Sequence, residues 1–521
     1  MTSGEKMVGQ MAGLGDDQVT YLGRSEYKRT ALIPIRKRGK MAPTAGRYDC
    51  IVIGGGLGGM VCSLALLKRG KRVLLLEKGH MVGGCQGYFT RKGFLFEACL
   101  HSVAETHVGG PVMKVLSSLD MKILPSFVQF DPSLRFIFPD AAYAVPKGKK
   151  NYLALLKKLF SEETDGIEKI FRKMDDIYDG IGKLPEVIPS VERYSGKVFQ
   201  ELLDECINNK RLKAIISGFW GYLGIPPSRA SALILSGFNG SICNHGNYLP
   251  EGGITHLVKP LADSIRGKGG EIRLKSPVKK IVLKEGRATG VILENGEEVE
   301  GRAVVSNVDA NLTFFSMVGE ENLPIAFADR LKQLTPTLSA FSVYLGIEGD
   351  TAIPSGLCPA NLVYPSDDMD AQYEAILKGD IERMPYVISI PTLVNPSLSP
   401  AGHHIVTLFA PMPYRIKDFG GWEEKKPEIT ERLIKVAEGV IPGLRQIIVV
   451  KDAASPDTLF RYTGNAMGAV GGWDYTPHSL ANRPANETPI KNLWLTGHWT
   501  NPGVGIHGVI QSGYMTANLI P

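Results

Sequence analysis

Six residues, Gly54-Gly55-Gly56-Leu57-Gly58-Gly59, leave this 521-residue chain few folds to choose from. Before them stands Tyr48-Asp49-Cys50-Ile51-Val52-Ile53, an apolar run of strand type, and after them a helical stretch over 60–69. A second apolar run over 72–76 ends at Glu77. Strand, glycine turn, helix and strand form a βαβ unit, and Gly54-x-Gly56-x-x-Gly59 is the spacing of a dinucleotide fingerprint. The first glycine permits a tight turn, the second admits a diphosphate to the backbone, and the third packs helix on strand. The helix start then offers unpaired N–H groups and a partial positive charge to phosphate. Gly54, Gly56, Leu57, Gly58 and Gly59 are the expected contacts. Glu77, 23 residues past Gly54, is placed to accept a hydrogen bond from a ribose hydroxyl. Its charge would repel the extra phosphate of NADP, which leaves FAD and NAD. The bland alternative is a βαβ unit without a ligand.

Charge excludes one class of partner. Residues 1–47 hold nine Lys or Arg against four acids, so this arm carries +5 of the formal +6 and the other 474 residues are almost neutral. A nucleic-acid protein keeps its basic patch on the folded part, so no nucleic-acid partner is expected. Arg36, Lys37, Arg38 and Lys40 fit an arm that docks on an anionic lipid surface, and equally a solvated tail. The seven cysteines are scattered without a CxxC pair, which fits a reducing compartment and argues against zinc. No apolar signal run opens the chain, and the expectation is a cytoplasmic protein with peripheral membrane contact. The uncharged stretches 50–67 and 493–521 contain glycines, prolines or histidines that suit a buried α/β core better than lipid.

Between these ends the chain changes character. Residues 150–240 read as amphipathic helices. Strands follow at 271–274, 278–283, 291–293 and 303–305, with Asn295-Gly296 marking a hairpin. Later strands are expected at 341–347, 386–390 and 404–409, and helices over 425–440 and from 504 onward. His403 and His404 could suggest a metal, but neighbours on a strand point to opposite faces, and no metal is expected.

Several segments resemble the phytoene desaturase, carotenoid isomerase and retinol saturase superfamily, which is related to the flavin amine oxidases. Glu77-Lys78, then Gly83-Gly84-Cys85-Gln86-Gly87-Tyr88-Phe89 and Gly93-Phe94-Leu95-Phe96-Glu97, resemble the family segment that runs along the cofactor diphosphate. Cys85 stands where an arginine is usual, as in the saturase and plant-type isomerase branches. The C-terminal Leu495-Thr496-Gly497-His498-Trp499-Thr500-Asn501-Pro502-Gly503-Val504-Gly505-Ile506-His507-Gly508 closely resembles the family's last motif, whose turn starts a helix aimed at the isoalloxazine. Pro250-Glu251-Gly252-Gly253-Ile254-Thr255, Ser276-Pro277-Val278, and the stretch from Ile388 to His404 are also similar.

The resemblance implies FAD, held by the fingerprint glycines with Glu77, Lys78, Gly83, Gly84, Cys85, Val278, Gly497, His498, Gly503, Val504, Gly505 and Ile506. It implies an α/β protein, with a Rossmann-type FAD domain (48–130, 245–310 and 455–521) interleaved with a substrate domain of mixed sheet and helical cap (131–244 and 311–454). The substrate is expected to be a long apolar polyene, desaturated or saturated at carbon–carbon bonds. Two other readings stay open: a cis–trans isomerase without net redox, and a prenyl-binding escort protein, for which intact flavin motifs would have no use. Hydride chemistry on such a bond needs a proton carrier. The candidates are His101, where Leu100-His101 resembles an Ile-His pair of the saturase branch, then His498, Glu97 and His507.

Overall fold

A computed structural model describes residues 47–521 except 100–101, 184–187, 350–352, 418 and 504. The glycine turn lies inside a seven-stranded sheet, built from β1 (Tyr48–Ile53), β2 (Val73–Leu76), β3 (Glu271–Arg273), β4 (Val278–Lys284), β5 (Arg287–Leu293), β6 (Glu298–Ser306) and β7 (Leu493–Leu495). The order is β4-β5-β6-β1-β2-β3, and β7 lies parallel to the end of β6. Helix α1 (Leu57–Lys68) connects β1 to its parallel neighbour β2. The continuous apolar run in β1 has a simple cause. Cys50 and Val52 enter one hydrophobic cluster and Ile51 and Ile53 the other, all four at most 3% exposed, because helices cover both faces. The C-terminal helix α2 (Gly505–Leu519) crosses α1 where Gly513 has no room for a side chain; a Cβ there would sit 2.4 Å from the Gly58 carbonyl.

A second seven-stranded sheet takes its strands, in order, from Ile448–Ala454, Ser339–Glu348, His403–Met412, Tyr386–Ser389, Ala360–Val363, Leu134–Ile137 and Ala142–Val145. Residues 149–245 form the helices expected there, ending in Ala232–His245. They pack on this sheet: a side chain at Gly218 would meet the Phe136 ring, and one at Gly221 would meet Tyr364 and Leu362. The expected strands and the Asn295-Gly296 hairpin are present, the latter joining β5 to β6 in antiparallel register. The helix expected over 425–440 is Trp422–Ala437. His403 and His404 take different partners, the Phe94 ring for one and Thr392 Oγ1 at 3.0 Å for the other.

Several four-residue strands escaped the pattern. Tyr88–Arg91 with Phe94–Glu97, Phe127–Phe130 with Asn247–Pro250, and Leu134–Ile137 with Ala360–Val363 are too short for alternation to register. Two of these pairs also join segments more than a hundred residues apart, so no turn signal announces them. Among the described residues no helix is long and apolar enough to cross a membrane.

Candidate cofactor and active site

The fingerprint glycines are required for different reasons, and the difference locates a ligand. Gly54 has φ +97°, in the region that favours glycine. A Cβ on Gly59 would lie 2.2 Å from the Gly54 carbonyl, so helix and strand could not pack. Gly56 has neither excuse. Its φ of −70° and ψ of 173° suit any residue, and among the described residues the one atom near its Cβ position is Asn307 Nδ2 at 3.0 Å. The fold does not need a glycine there, whereas a diphosphate pressed against the backbone does. Gly84 closes the other side: a Cβ on it would stand 3.1 Å from the Gly56 Cα. Gly83 ties this loop to the turn by donating to the Gly55 carbonyl at 2.8 Å.

Glu77, 9% exposed at the end of β2, accepts from the Gly55 N–H at 2.7 Å and the Gly79 N–H at 2.6 Å. Each carboxylate oxygen keeps a lone pair, so ribose binding remains open to it. Lys78 donates to the Arg461 carbonyl at 3.2 Å. Cys85 approaches Asn465 Nδ2 at 3.9 Å, and Asn465 accepts in turn from the Trp499 indole at 3.1 Å. The double-glycine loop and the C-terminal motif are thus joined through one buried amide. Val278, 8% exposed, opens β4, and Leu57 and Ile506 are buried at the starts of α1 and α2.

Asn307, which sequence reasoning passed over, is the node of the site. Directly after β6 it donates to the Gly54 carbonyl at 3.2 Å, and side chains at Gly56, Gly58 or Gly497 would meet its amide within 3.0 Å. The only signal was a polar residue at the end of a buried strand. Gly497 donates to Ser512 Oγ at 3.0 Å and brings the C-terminal chain against Gly58, 3.1 Å from its Cβ position. Glu77 bonds the Gly55 N–H, and Asn307 stands against both Gly56 and Gly497, so these residues lie on one continuous path.

The catalytic candidates separate. His101 and Val504 lie outside the described residues. Glu97, 6% exposed, accepts from the Ile254 N–H at the start of helix Thr255–Gly267, and burial pushes its carboxyl up to about 7. His498 is pushed down to about 4 by burial and by the Arg483 charge, so its ring is neutral at pH 7; Nε2 has no partner among the described residues. His507 stands beside Gly505 at the start of α2. Burial lowers its pKa, and the charge of Glu105 opposes that.

Glu105 was not foreseen. It is 5% exposed, sits at φ +64°, and accepts from the Tyr178 hydroxyl at 2.6 Å. A non-glycine residue at positive φ stores strain, commonly at functional sites. His107 and His245 offer ligand atoms within 4.8 Å of one another and of a Glu105 oxygen, a set the search for metal motifs in sequence did not find. The two rings stack at 3.9 Å with 13° between planes. Imidazole lone pairs lie in the ring plane, so stacked parallel rings are poorly set to converge on one ion.

Comparison with known proteins decides the family. Residues 57–521 match the model of the flavin containing amine oxidoreductases. The chain belongs to that family. Its cofactor is FAD, and its fold is a Rossmann-type α/β FAD unit with a substrate domain. Relatives include prolycopene isomerase from Daucus carota, 28% identical across 91% of this chain and 80% of that protein. All-trans-retinol 13,14-reductase from Danio rerio is 26% identical across 86% and 82%, and the neurosporene-forming phytoene desaturase of Cereibacter sphaeroides 24% across 92% and 96%. Among solved structures, a Methanosarcina mazei oxidoreductase superposes with a TM-score of 0.65 at 18% identity, covering 90% of this chain and 99% of that one. Putrescine oxidase gives 0.63 at 17% identity, covering 91% and 99%. These two neighbours share the flavoprotein fold.

Proposed function

We propose that this flavoprotein transfers hydride at carbon–carbon bonds of a long apolar polyene, of carotenoid or retinoid kind. The observation that carries the reading is that relatives with different reactions, named for prolycopene, retinol and phytoene, each match at least 86% of the chain. Their common ground is the substrate class. Residues 131–244 and 311–454 would then form the substrate domain.

Bound FAD supplies reversible hydride acceptance at its isoalloxazine. The protein's own residues do the rest. Gly56 and Gly84 let the diphosphate reach backbone N–H groups, Glu77 accepts from the ribose, and Gly503 and Gly505 bring the start of α2 to the ring. A carbon–carbon redox step also moves a proton, and the pair His507 and Glu105 is the better carrier in this arrangement. Glu105 offsets the effect of burial on His507, whereas His498 at about 4 holds a proton poorly at neutral pH. Tyr178 keeps the Glu105 carboxylate turned to its partners. Proton carriage by His101 would be an added or alternative route.

The prolycopene isomerase match supports a second reading, isomerisation by the reduced enzyme without net redox. Anaerobic incubation of the holoenzyme with carotenoids and retinoids separates the two. Oxidoreduction changes the flavin absorbance stoichiometrically and the product mass by two hydrogens, while isomerisation changes neither. Absence of any product from either class, with oxidised and with reduced enzyme, refutes the substrate assignment. His101→Ala, His498→Ala and His507→Ala then identify the carrier as the variant that keeps FAD and loses single-turnover rate by about 10²–10⁴-fold.

A further inference from the structure

Arg483 is 6% exposed, and no ion pair includes it among the described residues. Among the described residues one of its five N–H groups is used, Nη2 donating to the Trp473 carbonyl at 3.1 Å, and Nε and Nη1 are buried without partners. The nearby Asp474 spends Oδ1 on the Thr476 hydroxyl and N–H, at 2.8 and 3.2 Å. A buried charge without a counter-ion is among the more unfavourable arrangements a protein can hold. Its direction tells what would relieve it. A Cβ on Gly503 would lie 1.9 Å from Nη1, so the guanidinium presses on the glycine turn that begins α2, whose 15 residues point their positive end the same way. Its charge also depresses the His498 imidazole, which locates it beside the path from Gly497 to Gly503.

We propose that Arg483 is the anion-binding group for the pyrimidine edge of the flavin, N1 and C2=O, where negative charge gathers on reduction. The inference rests on the ring lying at the Gly503 turn, as in the proposed function. The guanidinium contributes little to holding the neutral oxidised ring and much to holding the anionic reduced one, because preorganised donors act on charge as it develops. Glycine at 503 is then needed so that Arg483 and the ring can meet over bare backbone.

The test uses holoenzyme carrying Arg483→Met, which keeps length and removes charge, Arg483→Lys, which keeps charge, and His498→Ala. Midpoint potentials of the bound flavin are read by equilibration with dyes. Arg483→Met is expected to retain oxidised FAD and to bind reduced FAD about 10²-fold less tightly. That is a potential about 59 mV lower, at 29.6 mV per tenfold for a two-electron couple. Arg483→Lys is expected within about tenfold of wild type, and Arg483→Met to unfold at the same or a higher temperature when stripped of cofactor, since an uncompensated buried charge has gone. An unchanged potential in Arg483→Met, with His498→Ala perturbing the flavin spectrum, overturns the role of Arg483 and leaves the ring placement standing. If neither variant alters the spectrum or potential, the ring placement falls too. Loss of oxidised FAD from Arg483→Met would assign the arginine to the diphosphate and overturn the proposal.

Discussion

Replacing Gly56 and Gly59 by alanine, three residues apart in one motif, should give opposite failures. At Gly59 the new methyl would stand 2.2 Å from the Gly54 carbonyl, more than 1 Å inside ordinary carbon contact of about 3.5–4.0 Å. Both sides are backbone, so relief requires α1 to slide on β1. Overpacking of this kind costs about 1–3 kcal/mol, and alanine's helix preference returns up to about 1. A net loss of about 2 kcal/mol follows, visible as a lower melting temperature with or without FAD. At Gly56 the backbone is ordinary and only the Asn307 amide need yield. Stability without cofactor should therefore stay within about 0.5 kcal/mol of wild type. The methyl does occupy the ground a diphosphate needs. Loss of two charge-assisted hydrogen bonds, at about 1.5 kcal/mol each, weakens FAD by roughly 3 kcal/mol, or about a hundredfold. Thermal unfolding and flavin-fluorescence titration of the two variants measure both quantities. Should Gly56→Ala bind FAD within about threefold of wild type, the diphosphate does not lie there. If it melts as low as Gly59→Ala without FAD, its glycine serves packing and the cofactor reasoning fails.

Three further outcomes follow from the site. Glu97, raised to about 7 in the fold against about 4.3 unfolded, makes the native state bind the extra proton, so its contribution is complete below about pH 4 and is lost as pH rises through 7. Glu97→Gln should flatten the pH dependence of the melting temperature between about pH 4.5 and 7, a slope worth about 3 kcal/mol in all; an unchanged slope refutes the burial argument. Glu105→Gln and Tyr178→Phe should keep FAD while lowering single-turnover rate by about 10²-fold and about tenfold, with the rate–pH profile displaced in both; wild-type profiles would remove Glu105 from proton handling. Deleting residues 1–45, which lie outside the described part, should reduce flotation with anionic vesicles at low salt, each lost basic charge contributing about 1 kcal/mol; equal flotation of the two proteins counts against the arm.

The parts of the site that follow local rules were legible from sequence. Gly54, Gly59 and Glu77 could be read because a tight turn, a helix–strand contact and an acid at a strand end each leave a fixed residue type at a fixed spacing. Gly497 and Gly503 were read only by resemblance, since a strand–turn–helix of that composition has many uses. Asn307, Asn465, Arg483 and Glu105 were not read at all. Asn307 and Asn465 act through Gly54 and Cys85, 253 and 380 residues away in sequence, and Arg483 through Gly503, beyond an intervening strand. Burial and orphaned donors identify such residues, and neither leaves a periodicity. Glu105 is similar, since its tyrosine partner stands 73 residues on, in helix Thr164–Ile181. His107 and His245, far apart in sequence, meet only where a loop and the end of helix Ala232–His245 bring their rings to a 3.9 Å stack.

The charges around the start of α2 fit one chemistry better than storage or transport. Within the span 503–507 a guanidinium that, among the described residues, has no ion pair bears on Gly503, and the carboxylate of Glu105 acts on His507. A protein that only wrapped an apolar chain would gain from replacing both with hydrophobic side chains, since buried ionic groups are at best neutral for stability. A flavin reaction uses them in opposite senses. Reduction places negative charge on the ring and asks for a fixed cation, while the paired proton transfer asks for a group whose charge can change. Arginine cannot release its proton and suits the first task; histidine beside a carboxylate can, and suits the second. Placing the fixed charge of Arg483 against Gly503 and the variable one on His507, both at the start of α2, lets hydride and proton be handled together without a mobile side chain.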